Sequence, residues 1–513
     1  MTLTADAVIA ISDEPLTLDG LLRIAAGARL QLSEAARERI RASRAVVDAA
    51  LSGPDLVYGL NTGLGHMRNE RLPVESLIRY QEAMVASHAG AIGPPLSTPV
   101  VRAAMAARVN GFAQGGSGAT LAAAETLVAM LNAGVHPIVP ETGSVGASDL
   151  MHMASIAQVA IGLGRAEVGG EVVGGREALK WAGIQPLALQ PKDGLALISA
   201  NGVSVGRGGI VVGRALELAE IADVVFVVSL EGIGGNPSIV EPAVAAAKGI
   251  PGQTAASEHI RRLLIGSARC EAGGAKSVQD PLSFRVVPQV HGAYRELVAF
   301  AHQAVETELN AADDNPLVSV AEGRLISNGN FHPMVLALAF DALRPAIAHV
   351  GQLSERRMSH LWNAAFADPS AVALESGWRN TGLGLALFTR YAAGTRYAAL
   401  RGLAEPATLD VGPLDMGVED HATNAPESVR RTDEALDALE DILAIELLIA
   451  WGLLADLSRG TLGQGARLIL SEVDQVFARL PKDAQSSDLH AAVRLALREQ
   501  LLPAIRAAIP NPT

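Results

Sequence analysis

Cysteine is almost missing from this chain. The single residue, Cys270, excludes an internal disulfide and a thiolate metal cluster, and it points to a reducing, cytoplasmic compartment. Aromatic residues reach only 4%, which disfavours extensive sheet, while abundant Ala and Leu favour packed helices. Positive charge is short as well: a net charge of −13 argues against nucleic acid or an anionic membrane surface as partner. Long apolar runs are lacking. The best candidate for a membrane span, Ile442 to Leu457, is interrupted by Glu446 and Asp456 and reads as a helix buried in a bundle. The opening Met-Thr-Leu-Thr-Ala-Asp has no basic stretch before an apolar one, so no signal peptide is expected. The twelve histidines show no His-Glu-x-x-His or paired spacing, so no metal site is expected.

What is present is length and apolar content. A chain of 513 residues with 49% hydrophobic residues exceeds the usual size of one core. Residues 7 to 20 carry strand-like signals, Val-Ile-Ala-Ile and Leu-Thr-Leu-Asp-Gly, and helical periodicity then dominates. Ser33 is placed to cap a helix from Glu34 to Leu51. Shorter helices follow at about 76–89, 99–113, 119–133 and 150–163, with a glycine-dense turn or hairpin at 164–175. Long patterns then run through about 207–230, 283–312, 333–364, 383–403, 427–458 and 487–508, with no strand signal between them. The expected fold is mainly α: a smaller N-terminal α-rich domain over 1–203 and an elongated, oligomerising bundle over 204–513. Several of these helices are apolar on more than one face, which implies burial by neighbouring subunits. The glycine clusters at 115–118 and 206–209 lack the βαβ context and spacing of a phosphate loop, and close helix packing explains them better.

One segment is built differently. From Thr142 to Asp149, in Pro-Glu-Thr-Gly-Ser-Val-Gly-Ala-Ser-Asp, small and hydroxyl-bearing residues crowd together before an apolar helical run. Such a segment folds as a compressed turn at a helix N-terminus, with Ser148 or Asp149 as the simplest N-cap. Further motifs recur in order: Tyr58-Gly59-Leu60-Asn61-Thr62-Gly63-Leu64-Gly65, Ser87-His88, Gln279-Asp280-Pro281-Leu282-Ser283-Phe284-Arg285, Glu308 to Leu317, Ser327-Asn328-Gly329-Asn330-Phe331-His332 and Glu419-Asp420-His421. Together, over roughly residues 55 to 425, they resemble the histidine and aromatic amino acid ammonia-lyase family. The resemblance implies an ammonia-lyase/fumarase-like architecture and a homotetramer with active sites shared between subunits. It also implies elimination of ammonia or an amine from an amino acid.

Each residue type suits a task, and each has a plainer reading. Tyr58 would take the β proton if its phenol is ionised near a positive field; otherwise it is a buried hydrogen-bond donor. Arg285 would hold the substrate carboxylate with its planar fork, or form a salt bridge with Asp280. Asn315 and Asn61 would orient that carboxylate, hold the tyrosine loop, or serve turns. Phe331 and His88 would line the pocket for the substrate ring, and Glu419 would face the amino end. Ser148 and Asn201 stand where the family forms and supports its electrophile.

That electrophile, a methylidene-imidazolone, arises in the family by cyclisation of Ala-Ser-Gly. Here the triplet is Ala147-Ser148-Asp149. Asp149 adds a Cβ and a charge beside the nitrogen that must attack, so the ring is not expected to close and no cofactor is expected. Other positions depart too: Asn201 lies two residues late, Leu282 replaces a tyrosine, Val418 a glutamine, and Glu405-Pro406-Ala407-Thr408 a His-Pro-Ala-Ser. A quaternary ammonium has no N–H to lose and leaves as a neutral amine, so a base suffices for it. Ergothionase, a family relative, works on this logic. Glu405, Glu419, Trp362 and Trp378 are candidates to hold such a cation, although the tryptophans also read as core aromatics. The expected activity is therefore elimination from a histidine-like or aromatic betaine. The alternatives are an ordinary electrophile-dependent histidine ammonia-lyase, an aminomutase, or a ligand-binding relative without turnover.

Overall fold

The computed structural model describes residues 7–367, 386–409, 412–454 and 459–510. Trp378 lies outside them. The chain is mainly helical. Its centre is the Gly202–Ile233 helix, which packs against Thr98–Ala113, Val287–Leu309, Met334–Ala367 and Ala425–Leu454. Twenty-four of that helix's residues are buried, so it is apolar all round because neighbours cover it all round. The apolar core runs without a break from Ile11 to Ile509. One helix among the described residues, Met334–Ala367, is long and apolar enough to cross a membrane, and most of its apolar window is buried in the bundle. The Ile442–Leu457 run is buried in the Ala425–Leu454 helix as far as Leu454.

The short N-terminal helices form where periodicity placed them, and Ser33 caps Glu34–Leu51 by accepting the Ala36 N–H. The Arg165–Val168/Glu171–Gly174 hairpin forms too. Three expectations need correction. Leu16 to Gly20 is not a strand: Thr17 accepts the Gly20 N–H and starts the Leu18–Ala25 helix, and the strand paired parallel to Val8–Ile11 is Arg29–Leu32. The long-helix half is not free of strands, since Leu317–Ser319 pairs with Arg324–Ile326. The pattern at 283–312 is two helices, Leu282–Arg285 and Val287–Leu309, with Pro288 in the first turn of the second, where a missing N–H costs nothing.

Candidate functional site: the 144–149 turn and the loops around it

The turn sits between three helix ends. Gly146 takes φ +75, and a Cβ there would lie 2.2 Å from the Thr423 hydroxyl oxygen, so only glycine fits. Thr423 donates to the Gly146 carbonyl (2.7 Å), and the Asn424 N–H donates to Val145 (2.8 Å). Ser148 has φ +61, and its N–H donates to the Phe331 carbonyl (3.1 Å).

Asp149 precedes the Leu150–Ala160 helix but does not cap it with its side chain. Its buried carboxylate turns to the start of the Gly202–Ile233 helix instead. One oxygen accepts the Ser204 N–H (2.7 Å), and the other accepts the hydroxyls of Ser204 (3.0 Å) and Ser144 (3.1 Å). Ser204 is the third residue of its helix, so its N–H is one of the unpaired donors and welcomes an anion. Burial pushes the Asp149 carboxyl upward in pKa, against these bonds and nearby His152. The Asp149 N–H donates to the Ala200 carbonyl at 2.7 Å.

Next to Ala200, Asn201 is 1% exposed, and both ends of its side-chain amide lack a partner. Its N–H donates to Asp313 (2.9 Å). Below lies a buried charge network. Arg108 reaches Asp314 (2.9 Å) and Asp313 (3.4 Å), and Lys192 sits 3.8 Å from Asp314. Burial pulls Lys192 down to about 8 and pushes Asp313 up to about 6. Asn315 accepts the Asn328 N–H (3.1 Å), which ties the strap after the network to the loop carrying Phe331. The His332 ring in turn lies tilted against that of His421, with centroids 5.2 Å apart.

Tyr58 enters from the glycine loop. Its hydroxyl accepts the Gly65 N–H at 3.4 Å, and Asn61 holds the loop by accepting from Val57 (2.7 Å) and donating to Asp55 (2.9 Å). The positive field expected at Tyr58 is not what this chain supplies. Burial pushes the phenol upward, Gly65 opposes, and Glu419, Tyr80 and Asp415 push it further. Glu419 is itself raised by burial and Asp415, and lowered by His88. His88 donates from Nδ1 to the Met84 carbonyl (2.8 Å). Tyr58, His88 and Glu419 are thus neighbours, and the 412–424 loop links them to the turn and to Phe331.

Arg285 is not brought to this group. Phe284 packs on Phe226 with centroids 6.3 Å apart. From Asn201 to Phe226 the helix rises about 37 Å, at roughly 1.5 Å per residue. Arg285 therefore lies far from its own chain's turn. Its guanidinium lies against the Gln279 amide, while Asp280, the expected salt-bridge partner, accepts the Asn236 N–H instead (2.6 Å). Glu405 is exposed, and Trp362 packs against Phe366 (5.4 Å) and Phe388 (5.8 Å), the core-aromatic alternative. The sequence reading missed Ser144, Ser204, Asp313 and Asp415. Ser144 and Asp313 lie in segments singled out above; Ser204 and Asp415 act through contacts between distant segments. Among the described residues no group of three His, Cys, Asp or Glu side chains is arranged to hold a metal.

The sequence matches the aromatic amino acid lyase family over residues 16–474. It is 41% identical to a histidine ammonia-lyase of Anaeromyxobacter sp. (strain K), covering 86% of this chain and 88% of that protein. It is 37% identical to a histidine ammonia-lyase of Gloeobacter violaceus, over 96% of both. Among solved structures, the ergothioneine-degrading ergothionase of Treponema denticola superposes with a TM-score of 0.87 at 26% identity, over 96% of this chain and 99% of that one. The histidine ammonia-lyase of Trypanosoma cruzi gives 0.87 at 28%, over 98% and 96%. With this fold, and with these loops gathered at the turn, the chain belongs to the aromatic amino acid lyase family and is an enzyme of the ammonia-lyase type.

Proposed function

We propose that this lyase eliminates a tertiary amine from a histidine-like or aromatic betaine, without a methylidene-imidazolone. The observation that carries the proposal is the lock on Asp149. Cyclisation needs the Asp149 nitrogen to attack the Ala147 carbonyl, yet that N–H is held by Ala200 and the carboxylate is held by Ser144 and Ser204. Residues 147–149 therefore do not fit the ring. The unpaired Asn201 amide is free to meet substrate instead.

Tyr58 as phenolate takes the β proton, the C–H electrons become the new π bond, and the C–N pair departs with a trialkylamine that is neutral on leaving. The proton then passes from Tyr58 to solvent. Arg285 holds the carboxylate from a neighbouring subunit, because its own lies about 37 Å along the bundle. Val278 is 96% exposed and Leu282 59% exposed beside it, as a segment awaiting another copy would be. The likeness to an ergothioneine-degrading enzyme supports this reading.

The second reading, an ordinary histidine ammonia-lyase, is favoured by the 41% identity to a relative of that name. A panel of histidine, phenylalanine, tyrosine and their trimethylated betaines, followed by ultraviolet absorbance of the conjugated acid, separates the two. Turnover of betaines alone, with an intact mass lacking no water, is the expected result. A mass short by two waters with turnover of histidine would replace it. Tyr58→Phe should lower kcat by about 100-fold or more while the unfolding curve stays in place.

A further inference from the structure

Asp415 belongs to no motif, yet the protein distorts its backbone to place it. Residues 414–419 form a tight loop closed by Leu414 and Glu419 pairing N–H to carbonyl (2.7 and 3.3 Å). Inside it Asp415 (φ +45) and Met416 (φ +55) both adopt strained left-handed conformations that non-glycine residues rarely take. The carboxylate gained by this strain accepts the His66 N–H (3.1 Å) and meets His66 Nδ1 (2.8 Å). It lies so close to Gly65 that a Cβ there would be 1.8 Å from its oxygen. The N–H of the same glycine donates to Tyr58. Phenol and carboxylate thus flank one residue.

We propose that Asp415 is a positioning residue that makes elimination depend on a fixed positive charge in the substrate. The proposal rests on the betaine reading above. The charged and titratable groups around the phenol are Asp415 with His66, Glu419 with His88, Tyr80, and Arg68, which is bonded to the Gly65 carbonyl (3.3 Å). Two carboxylates there oppose a phenolate in the empty site. A trimethylammonium bound beside them reverses the local field at the moment the base is needed. A primary ammonium does so less usefully, because it surrenders its own proton to any base strong enough to take one from carbon.

The test compares a trimethylated substrate with its uncharged tert-butyl isostere as a competitive inhibitor. Asp415→Asn should raise KM for the cation about tenfold and leave isostere binding unchanged. It should also move the rising limb of kcat/KM to lower pH, and Asp415→Glu should restore the preference. Equal weakening of both ligands with an unmoved pH limb would reduce Asp415 to a loop anchor and overturn the proposal. A wild type that prefers the cation while Asp415→Asn keeps the same preference overturns it as well and leaves the betaine reading standing. A wild type that binds cation and isostere alike overturns both.

Discussion

Asp149 changes what holds the turn together. It brings a carboxylate that caps the start of the Gly202–Ile233 helix and draws in Ser144. Removing it strands the Ser204 N–H and hydroxyl in a buried place, while Ser144 keeps the Ser148 carbonyl as an acceptor (3.1 Å). Asp149→Ala should therefore lower stability by about 2–3 kcal/mol, read as a drop in urea midpoint, whereas Asp149→Asn, which keeps one acceptor, should lose less. If Asp149→Ala unfolds like wild type, the carboxylate is not what fixes the turn. Backbone geometry at this site was hidden from sequence reading for a plain reason. A side chain next to a helix usually caps that helix, and only the folded chain shows that Asp149 serves a different one.

Between elements, the charge network under Asn201 joins the Thr98–Ala113 helix, the Asp193–Ile198 helix and the 308–315 strap. Burial raises Asp313 to about 6 and Glu308 to about 7. A carboxyl whose folded pKa lies above its unfolded one stabilises fully at pH below the unfolded value, and loses that stabilisation as pH rises through the folded value. Asp313 should thus withdraw stability between about pH 4 and 6, at most about 3 kcal/mol. Urea unfolding of wild type and Asp313→Asn across that window checks it: the difference between them should grow with pH in the variant's favour. Helices of this kind were legible from periodicity and caps, as Ser33 and the 98–113 run show, because local propensity and burial agree there. The Leu16–Gly20 segment misled because its apolar alternation fits a strand and a first helical turn equally well, and Thr17 decided it. The site's loops were legible as motifs, but their partners were not. Asp415 reaches Tyr58 across some 350 residues of sequence, where no spacing rule applies.

On the scale of the whole molecule, the separation of Arg285 from the turn makes a prediction that no single-chain site can satisfy. If each site takes Tyr58 from one chain and Arg285 from another, Tyr58→Phe and Arg285→Ala should each be nearly inactive alone. Mixed oligomers should recover activity, because a site needs its Tyr58 from an Arg285→Ala chain and its Arg285 from a Tyr58→Phe chain. Random mixing of equal amounts gives each condition even odds, so about a quarter of sites should be intact. Co-expression of differently tagged variants, purification through both tags and the absorbance assay measure this directly. Recovery near zero, with mixed oligomers present and each variant inactive alone, would overturn the shared-site assembly. Recovery near a quarter would place the carboxylate clamp across a subunit boundary, and it would explain why the apolar side chains of Val278 and Leu282 stand exposed on the isolated chain.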